Sequence, residues 1–331
     1  MTHTDHHNPF RKLSPRHQFS LDELYAQRAG RAPAGYAKRW QQWYAAALEV
    51  DPQLVVHHSY EHDGWRVKEF THKSTDGVTI GGWLIEPLHQ RVERVFICGH
   101  GYGGRAKPDF DLPFENAAYF FPCARGISKS PHPIISHEPK WHVLHDLQDS
   151  ERYIMRGCCE DFWVGVTAVQ RLYPHINLYY LGVSLSGGIG CMALAWEKRI
   201  AKAHVNVPTF GHQQLRLQTR SVGSAASVQR FARQNPSVAE KTLRWFDAAI
   251  AARRINIPMH FACALSDPAV TPLGQFAIYN AVKSKKQLFV LNAGHLDYPE
   301  KAEQDRARPG ARPRALGAER RDGRRQLRDY R

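Results

Sequence analysis

The chain has 331 residues, 43% hydrophobic and 23% charged, with a formal net charge of +14. That length can bury a large core in one big domain or two, and no run of about 18 apolar residues is present to cross a membrane. The charge first suggests nucleic acid, but residues 301–331 hold eleven Lys and Arg against five Asp and Glu and so supply +6 of it; the rest is spread without a basic helix or nucleic-acid motif, so no nucleic-acid partner is expected.

Met1–Arg16 is rich in His and Arg and has no apolar centre, so it does not read as a signal peptide, and residues 1–18 read as a disordered tail. Residues 19–300 read as a single domain. Ser20 is placed to cap a short helix over Phe19–Gln27. Pro33 and Gly35 break the chain, and Trp40, Trp43, Tyr44 and Leu48 recur at helical spacing over Tyr36–Val50. From Leu54 to Pro87 the signals are those of strands: 66–71 alternates, Asp76-Gly77 is a turn signal, and 78–85 is the partner. The six cysteines (Cys98, Cys123, Cys158, Cys159, Cys191 and Cys263) form no Cys-x-x-Cys pair, as expected of buried free thiols in a reducing cytoplasm.

Arg94–Cys98 is a short apolar strand followed at once by Gly99-His100-Gly101-Tyr102-Gly103-Gly104. Such a loop either is a plain turn with His100 packed, or aims a backbone N–H at a developing oxyanion. Another strand spans 117–122. Residues 128–147 are rich in Pro and contain His132, His137, His142 and His145, without the spacing of a helical zinc site, so no metal is expected. Asp149 or Ser150 is placed to cap a helix through Leu172.

Leu178–Val183 reads as a buried strand, Ser184 stands where it stops, and glycines open the helix that follows. This is the layout of a nucleophile elbow, in which a sharp turn lifts one hydroxyl above the sheet edge and the flanking residues, here Gly182 and Ser186, must be small. A strand follows at 203–207, then a helical insertion over 209–254. The strand 259–265 ends in Ser266-Asp267-Pro268, a helix covers 272–282, and the strand 287–291 runs into Asn292-Ala293-Gly294-His295. Alternating strands and helices predict an α/β fold with a mainly parallel central sheet and helices on both faces. Functional groups gather at the carboxyl ends of such strands, and Ser184, Asp267 and His295 stand there. The expected roles are nucleophile, orienting acid and general base. The backbone N–H groups of Tyr102 and Leu185 are the expected oxyanion hole, and Ser186 is the rival nucleophile.

These residues resemble the acetyl xylan esterase and cephalosporin-C deacetylase family, the seventh carbohydrate esterase family of the α/β-hydrolases, over about residues 19–300. The family's Arg-Gly-Gln, Gly-x-Ser-Gln-Gly-Gly and His-Glu motifs stand here as Arg125-Gly126-Ile127, Gly182-Val183-Ser184-Leu185-Ser186-Gly187 and His295-Leu296. Its His-Gly-Tyr is His100-Gly101-Tyr102; Tyr153–Gly157, Asn206-Val207-Pro208 and Phe276–Asn280 resemble three further family segments. The resemblance implies an α/β-hydrolase fold and a serine esterase. It would remove short acyl groups from sugar or cephalosporin-type esters, without a cofactor and as a homo-oligomer. Another α/β-hydrolase reaction (peptide or lactone hydrolysis) and a catalytically dead, binding-only member are the alternatives. Residues 301–331, rich in Arg, Pro, Gly and Ala, do not resemble the family's closing helix and read as a disordered tail or as out-of-frame text.

Overall fold

The computed structural model describes residues 19–307; the expectations for 1–18 and for 308–331 lie outside the described residues. The helices are α1 (Leu21–Tyr25), α2 (Tyr36–Leu48), α3 (Pro139–His142), α4 (Ile154–Leu172), α5 (Leu185–Ala193), α6 (Gln213–Gln218), α7 (Gly223–Gln234), α8 (Pro236–Leu243), α9 (Ala248–Ala252), α10 (Pro272–Ala281) and α11 (Lys301–Ala307). The strands are β1 (Val55–His62), β2 (Trp65–Lys73), β3 (Thr79–Pro87), β4 (Arg94–Cys98), β5 (Ala117–Pro122), β6 (Leu178–Val183), β7 (Ile200–Asn206), β8 (Met259–Ala264) and β9 (Lys286–Leu291). They form one sheet in the order β1-β2-β3-β5-β4-β6-β7-β8-β9. The first three strands join antiparallel, and β5 through β9 run parallel. Strands β4 and β6 are therefore neighbours at the centre, which sets the glycine loop after β4 beside the turn after β6.

Alternation along the strands divides the core. Val95 and Ile97 of β4, Phe120 of β5 and Tyr180 of β6 enter the large cluster beneath α2, α4, α5, α9 and α10. Phe96, Tyr119, Phe121, Trp83 and Trp65 enter a smaller cluster on the opposite face, packed against Phe110 and Phe114 of the loop after β4. This is the period of two that an extended chain imposes. Trp40 and Trp43 of the α2 stripe are core, as their spacing predicts, and Tyr44 packs half-buried against it, whereas Leu48 at the helix end is 38% exposed; Trp40 stacks on Trp196 and meets Trp163 and Phe246 edge-on. All six cysteines are free and buried. Among the described residues no helix is long and apolar enough to cross a membrane.

Three local readings differ from the sequence. The antiparallel region holds a third strand, β1, whose two-residue turn Asp63-Gly64 has positive φ at both positions (48° and 80°), the geometry an Asp-Gly pair favours. Asp149 does not cap α4; its side chain accepts from the Glu151 N–H in a separate turn, and α4 begins at Ile154. The tail read from 301 onward differs at its first seven residues, which form α11, because Gln304 Oε1 accepts from both the Asn292 N–H and the Tyr298 hydroxyl.

Candidate active site

Strand β6 ends at Val183, and Ser184 turns the chain into α5 with φ 52° and ψ −110°. A non-glycine residue with positive φ is uncommon and strained. Here the strain is held by neighbours: the Ser184 N–H donates to the Asn206 carbonyl at 2.9 Å, and the Ser184 carbonyl accepts from Thr209 N–H at 3.2 Å and Gly188 N–H at 3.1 Å. The turn is tight enough that a Cβ on Gly182 would lie 2.7 Å from the Tyr180 ring. Tyr180 occupies that space and donates to the Ser186 carbonyl at 2.6 Å.

Ser186, the rival nucleophile, is turned away into the strand. Its Oγ accepts from the Val183 N–H at 3.0 Å and donates to the Val183 carbonyl at 3.1 Å. It fits because Gly99 opposite has no side chain; a Cβ there would stand 2.4 Å from Ser186 Cβ.

The three residues at strand ends converge. His295 Nε2 is 2.9 Å from Ser184 Oγ, and His295 Nδ1 is 2.7 Å from Asp267 Oδ2. The Asp267 carboxylate is wholly buried as a side chain and its acceptor sites are filled: Oδ1 by the Ala269 and Val270 N–H groups, Oδ2 by His295 and by Gln275 Nε2. Gln275 is fixed in turn by the Ala264 N–H and the Val270 carbonyl. The carboxylate accepts a hydrogen from Nδ1, which leaves the Nε2 lone pair facing the serine hydroxyl. Burial alone would lower the pKa of His295, but the charge and hydrogen bond of Asp267 outweigh it, so the ring stands above its ordinary value of 6.5.

The loop after β4 crosses over this turn: a Cβ on Gly101 would lie 3.5 Å from Ser184 Cβ. His100 is buried and braces the loop. Its carbonyl accepts from the Ser186 N–H at 3.3 Å, its Nε2 accepts from the Ala124 N–H at 2.9 Å, and its Nδ1–H therefore donates to the Gly101 carbonyl at 2.7 Å. The far end is tied by the Arg105 N–H to Ser128 Oγ. Neither the Tyr102 nor the Leu185 backbone N–H donates to an acceptor among the described residues.

Sequence reading missed the groups that hold these parts. Gln275 carries no signal beyond its place in the helix after the acid. His142 was one of four histidines in a proline-rich loop; it is buried, with Nδ1 3.2 Å from the Tyr102 hydroxyl and Nε2 3.0 Å from the Arg125 carbonyl. Burial pulls its pKa down to about 4, so it is a neutral acceptor at ordinary pH. No three His, Cys, Asp or Glu side chains cluster as a metal site would require among the described residues.

The family model described as acetyl xylan esterase (AXE1) matches residues 15–308. Among solved structures, the chain is similar to the acetyl xylan esterase from Paenibacillus sp. R4 (TM-score 0.74, 18% identity, 86% of this chain and 97% of that one). It is similar also to acetyl xylan esterase 1 from Thermoanaerobacterium sp. JW/SL YS485 (TM-score 0.70, 17% identity, 87% and 96%). A more distant likeness is to the acylaminoacyl peptidase of Pyrococcus horikoshii (TM-score 0.54, 13% identity, 70% of this chain and 38% of that one). At such identities the structural likenesses establish the fold, which is that of the α/β-hydrolases, as the sequence predicts.

Proposed function

Because the chain belongs to the acetyl xylan esterase family, we propose that it is a serine esterase that removes short acyl groups, acetyl foremost, from carbohydrate esters. The observation that carries the reading is the unbroken chain from Ser184 Oγ through His295 to Asp267, at 2.9 and 2.7 Å. His295 takes the hydroxyl proton as Ser184 Oγ attacks the acyl carbon, and Asp267 stabilises the imidazolium that forms. The carbonyl oxygen becomes an oxyanion between the Tyr102 and Leu185 N–H groups; one such donor is worth roughly 10²–10³ in kcat. Collapse breaks the bond to the sugar oxygen, which takes the proton from His295 and leaves as a free hydroxyl. Water, deprotonated by the same ring, then attacks the acyl carbon, and Ser184 Oγ leaves by taking that proton back as the carboxylic acid is released.

A panel of 4-nitrophenyl esters of rising chain length, acetylated xylan, cephalosporin C, a lactone and a peptide amide tests the reading. Turnover is expected to be highest on acetyl esters and to fall with longer chains. Turnover of the lactone or amide above the acetyl esters would reject it. Because only neutral His295 is a base, and its pKa stands above 6.5, the logarithm of kcat/KM is expected to fall by one unit per pH unit below a midpoint higher than 6.5. A midpoint below 6.5 in a pH-rate profile would contradict the role given to Asp267.

A further inference from the structure

We propose that His142 is a positioning residue for the oxyanion hole, holding the Tyr102 amide in place through the Tyr102 hydroxyl. The inference rests on the reading of Tyr102 as an oxyanion donor. Tyr102 stands between Gly101 and Gly103, with Gly104 beyond. The Gly104 N–H donates to the Gly101 carbonyl at 3.0 Å and closes a turn around Tyr102, but that bond lies within the loop, and glycines on both sides leave the tilt of the turn weakly set, so a tie from Tyr102 itself to a fixed element orients the amide. His100 braces one end and the Arg105 N–H the other; between them, the Tyr102 hydroxyl ties the turn to a partner outside the loop.

The direction of the hydrogen bonds is set by chemistry. The Arg125 carbonyl can only accept, so His142 Nε2 carries the hydrogen, Nδ1 keeps a lone pair, and the Tyr102 hydroxyl donates to it. The two rings also pack edge-on, with centroids 5.4 Å apart and planes at 79°. The far end of the relay is rigid. Arg125 is buried and held by both oxygens of Asp161 at 2.8 and 2.7 Å, and the residue after His142 is tied by its carbonyl to the Tyr153 hydroxyl at 3.0 Å. His142, the last residue of α3, thus connects the Arg125–Asp161 ion pair to the Tyr102 side chain.

The test uses the full chain and 4-nitrophenyl acetate, with kcat counted per site labelled by a fluorophosphonate, so that misfolded protein does not enter. Tyr102→Phe and His142→Leu are each expected to lower kcat about tenfold, with KM within about twofold and no further loss in the double variant, because an oxyanion donor acts in the transition state. His142→Gln, whose amide can accept and donate at the same two places, is expected to keep at least about half of kcat. If His142→Leu fails to fold, Tyr102→Phe, which removes a single oxygen, decides alone. Unchanged kcat in Tyr102→Phe, losses that multiply in the double variant, or a change confined to KM would overturn the proposal. Parent protein with neither labelling nor turnover would instead bring down the serine-esterase reading beneath it.

Discussion

Replacing Ser184 by alanine is expected to lower kcat by about 10⁴-fold or more, whereas Ser186→Ala keeps kcat within about tenfold of the parent. The two serines stand two residues apart in a turn that has Ser186 where the family pattern has the first of its two closing glycines, so sequence alone admits either. Their surroundings separate them. Ser184 Oγ faces His295 Nε2 at 2.9 Å, at the one position in the turn forced to positive φ. Ser186 Oγ has its hydrogen committed to the Val183 carbonyl and accepts from the Val183 N–H. Removing it leaves two backbone groups of β6 without a partner, a cost of about 1–3 kcal/mol in stability, but takes no proton acceptor from the reaction. Initial rates on 4-nitrophenyl acetate and thermal unfolding of both variants check the pair of claims. A Ser184→Ala enzyme with near-parental kcat, or a Ser186→Ala enzyme with none, would reverse the assignment.

The site was legible where chemistry follows strand ends. Ser184, Asp267 and His295 each close an apolar run with a small or polar residue, and a parallel sheet brings such ends to one edge. The glycine loop beside the Ser184 turn was legible for the same reason, since four glycines directly after β4 have no packing use in a strand. What escaped was contact between side chains on different elements. Gln275 lies in the helix directly after Asp267, eight residues on, and His142 lies 40 residues beyond Tyr102; neither spacing has a period, so neither pair leaves a local mark. β1 escaped for a different reason: every residue of it is exposed, so it has no apolar alternation to read.

The motif departures also acquire a physical account. Ile127, Leu185 and Leu296 stand where the family has Gln, Gln and Glu, and all three are buried, at 3%, 0% and 4% exposure. Ile127 and Leu185 join the large core, and Leu296 packs with Ala293 and Tyr298. A buried polar side chain needs partners, so apolar residues at all three places form a consistent set. The hydrogen-bond chain through His295 stays whole beside these changes. The Ser186–Gly99 pair follows the same logic: a side chain gained on one strand end sits against one absent on its neighbour.

Truncating Asp161 to alanine is expected to cost about 3–5 kcal/mol of stability, because it leaves the Arg125 guanidinium buried without its carboxylate. Arg125 and Asp161 side chains are 5% and 9% exposed. The remaining neighbours cannot take over: Thr75 offers a neutral hydroxyl, and Asp76 is 65% exposed and 3.5 Å away. Arg125 cannot swing aside either, since it lies against the bare Cα of Gly157, where a Cβ would stand 2.2 Å from its Nη1. Urea unfolding followed by tryptophan fluorescence measures the loss, and replacing both partners by apolar residues, Arg125→Met with Asp161→Leu, is expected to recover most of it. A cost below about 1 kcal/mol for Asp161→Ala would show that the guanidinium finds water or another partner. The same variant reads out the relay to the site. The Arg125 carbonyl accepts from His142, which accepts from Tyr102, so displacement of Arg125 is expected to lower kcat per folded molecule as well as stability. The apolar pair, which restores packing at the Arg125 backbone, is expected to restore kcat with it.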